Sequence, residues 1–291
     1  MARSKTLSHK PEATVRRVGR EAKKDARKAA ASPLVEVGAR AGYVVRGLLY
    51  GLIGVLALLV AVGAGGKETD QQGTLVWLAG QPYGKAVIVV VIAGLVFYAL
   101  WGFIRAIFDP FNRGDDAAGI GARLGFAWSG TAYTGLLLFA VPLALGKGAA
   151  TGDGTQKMVA TILSHPFGQF VAGLLGIIVI GVGIGQFVDA YRAPFRKDFK
   201  RSEMSSEERA IAVNLGRFGM FSRGVIFSLL GWFVVAAAIG QDAGRAHGYG
   251  GAFATLAKQP FGHVLLAVVA LGFVALGLHS LASARWVRWL H

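Results

Sequence analysis

The feature that most constrains this fold is a phrase that the chain writes three times. It opens on Arg40, runs through an apolar segment and a Gly-rich loop, and closes on Pro82, Tyr83 and Gly84. It returns from Arg123 to Pro166, Phe167 and Gly168, and again from Arg217 to Pro260, Phe261 and Gly262. From the opening Arg to the closing Pro is 42, 43 and 43 residues. A second apolar segment follows each Pro. The six segments, at about 43–64, 86–108, 124–146, 169–190, 219–240 and 263–284, each have the roughly 20 residues that cross a hydrocarbon core about 30 Å thick. Backbone polar groups cannot stay unpaired in lipid, so each segment is expected to be a helix. The repeat therefore predicts an all-α membrane protein with six transmembrane helices in three two-helix units, at 39–113, 122–198 and 214–291.

Charge places these units in the bilayer. Only 16% of residues are charged, against about 25% in a soluble domain, and the mean hydropathy is +0.50. The net charge of +15 is not spread as a nucleic-acid surface would be, and no nucleic acid is expected. Of the 31 Lys and Arg, 25 fall in the N-terminal region through Arg46, the two even-to-odd connections and the C-terminal end; six fall in the other three loops. The positive-inside rule then puts both termini of a multi-pass membrane protein in the cytoplasm. Residues 1–38 hold ten of these cations and lack the apolar core of a signal peptide. They read as a cytoplasmic tail, disordered or loosely helical, drawn to anionic lipid.

Two spans per copy bring each copy back to its starting side. All three copies are thus the same way up, related by rotation about the membrane normal as parallel repeats are. A pseudo-threefold ring is the natural arrangement, with a row as the alternative. The short segments before each Pro, 74–81, 157–165 and 252–259, carry apolar residues at helical spacing and predict short interfacial helices on the outer surface. Pro82, Pro166 and Pro260 are expected in the first turn of the following spans, where a missing N–H costs nothing.

Comparing the copies singles out further residues. Gly47, Gly130 and Gly224 align, as do Tyr50, Tyr133 and Phe227. Gly47 with Gly51, and Gly181 with Gly185, are small-xxx-small faces suited to close helix packing. Arg40, Arg123 and Arg217 stand at the mouths of odd spans, where a long side chain snorkels to headgroups. Arg46 and Arg223 lie nearly two turns deeper and are the better candidates for contact with a ligand or a lipid phosphate; copy two has Ser129 there. Asp189 is an acid near the end of the fourth span, with Gln186 one turn inward. It aligns with Arg105, so an Asp189–Arg105 pair between copies is expected. Intramembrane ionisable groups are costly and often functional. There is no Cys, the six His show no ligand spacing, and no nucleophile–base pattern appears. No catalytic residue, metal or cofactor is expected.

At these residues the chain resembles a bacterial membrane family of unknown function built from three copies of a two-helix unit. Its pattern resembles Ala-Arg-x-Gly-Tyr-x-x-Arg-Gly-x-x-Tyr followed by a Gln-Pro-aromatic-Gly turn. Residues 39–50 with 81–84 and 216–227 with 259–262 fit it well; copy two departs at Ser129 and His165. The resemblance covers about residues 39–291 and implies residence in the inner membrane. It implies no activity, cofactor or catalytic residue.

The function expected from these features is non-enzymatic: a helical bundle that scaffolds, or binds lipid or a membrane or cytoplasmic protein partner, with anionic lipids on its cytoplasmic face. The alternative is a small-solute or ion transporter or channel, with a path near the repeat axis or Asp189. The centre of the bundle separates them: a polar cavity favours transport, and a dry core of Gly, Leu and Val opposes it.

Overall fold

The computed structural model describes residues 32–66, 70–109, 114, 116–147 and 154–287. The tail reading falls, up to residue 31, outside the described residues. Nine α-helices form among those described: α1 Pro33–Ala61, α2 Gln71–Ala79, α3 Gly84–Phe108, α4 Ala117–Ala144, α5 Gly154–Leu163, α6 Gly168–Arg192, α7 Ser206–Gly240, α8 Tyr249–Ala257 and α9 Gly262–Trp286. Six of them, α1, α3, α4, α6, α7 and α9, are long and apolar enough to cross a membrane. No strand appears among the described residues; the nearest to one is an isolated bridge between Phe199 and Val287.

Local chemistry explains the ends. Ser32 caps α1 through the Val35 N–H with Pro33 at its first turn, so this helix begins inside the stretch read as tail. Asp70 and Asp116 cap α2 and α4. Ser205 and Glu208 form a reciprocal capping box on α7. The even spans start differently. Tyr83, Phe167 and Phe261 precede them at φ 63°, 61° and 59°, left-handed and with no side-chain cap. The three Pro residues thus stand before the spans, not in their first turns where the sequence placed them. Gly follows each aromatic because a Cβ at Gly84, Gly168 or Gly262 would strike a carbonyl of the preceding short helix.

Helix order in space follows one rule. The even span of each copy packs along the odd span of the next: α3 on α4, α6 on α7, and α9 on α1. The last contact joins copy three to copy one, so the spans follow one another in the order α4, α3, α1, α9, α7, α6, a ring left open between α4 and α6. Glycine sits at each crossing. A Cβ on Gly47 would lie 2.9 Å from the Gly277 carbonyl, one on Gly102 2.9 Å from the Gly130 Cα, and one on Gly183 3.0 Å from the Gly224 carbonyl. Gly181 and Gly185, expected as a packing face, have nothing within 4 Å of the place a Cβ would take; α6 packs through Gly176 and Gly183 instead.

The opening arginines repeat the rule. Arg40 donates to the carbonyls of Ala284 and Arg285 at the end of α9, at 2.8 and 2.9 Å. Arg123 donates to Ala106 and Ile107 at the end of α3, at 2.8 and 3.3 Å. Arg217 reaches Tyr191 at the end of α6, at 3.3 Å. Each guanidinium caps the C-terminus of the preceding copy's even span, where free carbonyls and the helix dipole favour a cation. Headgroup snorkelling, the role expected from sequence, gives way to a bond between copies.

The short helices are wedged rather than laid on the surface. Leu75, Val159 and Phe253 hold equivalent places in α2, α5 and α8, and all three are fully buried. α2 packs on α3 and α4, α5 on α6 and α7, and α8 on α9 and α7. They roof the bundle on the side away from the chain ends, where Gly154 at the start of α5 comes near Gln72 of α2.

One place in the ring differs. α1 packs on α3 and α7 on α9 within their copies, but α4 does not pack along α6. These two spans are also the least buried of the six.

Candidate functional site

The aligned Arg positions of copies one and three meet inside the ring. Arg46 lies 5.5 Å from the Tyr50 ring centroid, and Arg223 lies 5.7 Å from the same ring. Arg46 also faces Tyr98, and Arg223 faces Phe227 at 5.0 Å. Arg105 lies over Tyr98 at 5.9 Å and over Phe126 of copy two at 4.5 Å. The order Arg105, Tyr98, Arg46, Tyr50, Arg223, Phe227 alternates cation and ring across α3, α1 and α7. Tyr133 stacks on Tyr98 with centroids 4.5 Å apart and feels both Arg46 and Arg223.

Polar bonds complete only part of this ladder. Arg46 Nη1 donates to the Tyr98 hydroxyl at 2.6 Å. Arg105 donates to the Trp101 carbonyl and the Tyr43 hydroxyl, both at 3.4 Å. Arg223 lies near Tyr249 at the start of α8 and acts on its hydroxyl. Burial raises the Tyr249 hydroxyl above the ordinary tyrosine value, and Arg223 works against that rise. The Nε atoms of Arg46 and Arg223 and the hydroxyl of Tyr133 are buried without any hydrogen-bond partner. Among the described residues, no ion pair joins a carboxylate to either arginine. Both side chains are half-buried, with their Nε atoms enclosed.

Magnitudes say what is missing. Inserting an Arg at the middle of a membrane helix costs about 2.5–3.5 kcal/mol. Cation–π contacts return about 0.5–2 kcal/mol each. Each buried donor left without a partner costs about 1–3 kcal/mol. Ring contacts can offset the charges, but not the two free Nε groups. A guanidinium in this state is matched in charge and hydrogen bonding by an oxyanion.

The structure separates the other sequence candidates from this cluster. Arg105 joins it through Tyr98. Asp189 and Gln186 stand half-buried on α6. The Asp189–Arg105 pair does not form; Arg105 instead contacts Tyr43 and the Trp101 carbonyl within its own copy. Tyr43, Tyr98 and Tyr249 were missed. A signal existed for two of them, since Tyr43 and Tyr98 interrupt apolar spans with hydroxyls that need partners.

Comparisons with known proteins agree with this architecture. The family described as Domain of Unknown Function (DUF1206) matches in three tandem stretches, residues 41–109, 124–193 and 218–287. These coincide with the three two-helix units of the ring. A Bacillus subtilis (strain 168) relative, described as "Uncharacterized protein YxxB", is 35% identical over 249 residues, 86% of this chain and 90% of the relative. No solved structure matches. With three matched units carrying the same Arg caps, glycine crossings and left-handed turns, the chain belongs to the DUF1206 family.

Proposed function

We propose that this protein is a non-enzymatic membrane bundle that binds an anionic group at Arg46 and Arg223. The carrying observation is that two guanidiniums flank the Tyr50 ring, each with an unpartnered Nε and neither paired with a carboxylate. Tyr133 offers a third unpartnered donor. The N-terminal end of α8, a partial positive charge, adds to it beside Arg223. Anionic membrane lipid is the partner class that fits a site within a multi-pass fold. In this reading the chain ends face the cytoplasm of a bacterial plasma membrane, where the basic tail strengthens contact with the same lipids.

The test uses purified protein in a neutral detergent and measures bound phosphatidylglycerol by native mass spectrometry. Wild type retains the lipid, and Arg46→Gln with Arg223→Gln loses it by about 100-fold or more in affinity, from two charged bonds of about 1.5–3 kcal/mol each. Equal retention by the double variant would sink the proposal.

Transport along the axis is the second reading, favoured by the polar lining of the centre. The roof made by α2, α5 and α8 opposes it, as a through-path has to part these helices.

A further inference from the structure

The ring is open at one seam, and the repeat shows why. Five residues after each opening Arg, and twelve after each Pro, the two spans of a copy cross. In copy one Gly94 packs against Val45; in copy three Gly272 packs against Ser222. The same two places in copy two hold Ile178 and Trp128. A glycine has become a branched side chain, and its small partner has become an indole. Both are exposed, Ile178 at 52% and Trp128 at 65%. One turn along, Gly42 packs on Tyr98 and Gly219 on Leu276, whereas Gly125 meets nothing. Gly185 on α6 also meets nothing, where copies one and three bury Trp101 and His279. Overfilling the crossing and emptying its flank keep α4 and α6 apart.

The seam leads to the two arginines. Ser129, in the place of Arg46 and Arg223, follows Trp128 directly, so the copy that opens the ring also leaves out the third cation. Tyr133, one turn on, is 94% buried with an unpartnered hydroxyl, and its ring lies against Tyr98, the hydrogen-bond partner of Arg46. The inner end of the seam is thus polar and cationic, and its outer rim is apolar: Trp128, Leu138, Ile177 and Ile178 are all exposed.

Resting on the anion-binding reading above, we infer that the ligand is a phosphate-bearing lipid that enters sideways between α4 and α6. Its headgroup phosphate pairs with the Arg46–Tyr50–Arg223 cluster, and its acyl chains stay in the seam. A polar head at the arginines and an apolar tail at the rim match an amphiphile end to end; free phosphate uses only the inner half.

The experiment fills the seam without touching the arginines. Gly125→Phe with Gly185→Phe places rings where nothing lies within 4 Å of the Cβ positions, so the fold accepts them. An unchanged melting temperature and elution volume check this. Wild type and variant are titrated with phosphatidylglycerol in mixed micelles and, separately, with inorganic phosphate. The expected result is that the variant weakens lipid binding at least about tenfold, equal to about 1.4 kcal/mol, while phosphate binding is unchanged. Lipid binding unchanged in the variant overturns sideways entry and leaves the arginine site standing. Wild type that binds phosphate but not the lipid overturns the lipid as ligand in the same way. Wild type that binds neither removes both this inference and the reading beneath it.

Discussion

Glycine and arginine decide most of what individual residues contribute here. Gly84, Gly168 and Gly262 lie so close to the carbonyls of the preceding helix that an added methyl group forces the turn apart. Gly84→Ala should therefore lower stability by about 1–3 kcal/mol, the cost of overpacking. Gly181→Ala, which meets nothing, should be neutral or gain up to about 1 kcal/mol from helix propensity. Thermal unfolding in detergent compares the two, and equal effects would show that contact geometry does not govern these sites. Arg40→Gln removes a cap on α9 and a 2.7 Å ion pair with Glu36. A loss of about 1–2 kcal/mol follows for a partly buried helix-end cation. The sequence marked these arginines correctly as anchors but misjudged what they hold. Position at a helix mouth is legible in one dimension; the neighbouring helix whose carbonyls wait there is not. Asp189 failed for the same reason, since alignment with Arg105 placed the two at equal depth without saying that their helices, α3 and α6, do not pack along one another.

Helices were the most legible elements, because length and apolarity in lipid leave no alternative. All six spans stand where the apolar segments do, although α1 starts ten residues earlier than expected, at its Ser32 cap. The short helices were found in sequence and misplaced in depth: Leu75, Val159 and Phe253 look like the apolar face of a surface helix until the crevice that takes them is known. The parted pair α4 and α6 was the least legible, although its cause is written in two residues. Trp128→Val with Ile178→Gly restores the crossing used by copies one and three. Spin labels at the exposed positions Thr131 and Ile184 should then report a shorter separation than in the otherwise unchanged protein. An unchanged distance would mean that something other than side-chain bulk holds this seam open.

The whole molecule is a ring of three copies whose interfaces share one design: a glycine crossing, an arginine cap and a wedged short helix. Symmetry makes the scaffold, and its breakage makes the site. Copy two lacks the inward Arg, carries the bulky crossing and opens the ring, while copies one and three supply the cations. The central claim is that this opening admits a lipid phosphate to Arg46 and Arg223. The most direct measurement is an electron cryomicroscopy map of the full chain purified in its native lipids. The account predicts headgroup density against the Arg46 and Arg223 guanidiniums, continuous with acyl-chain density leaving between α4 and α6. A map with α4 packed along α6 and no density against the two guanidiniums would contradict it.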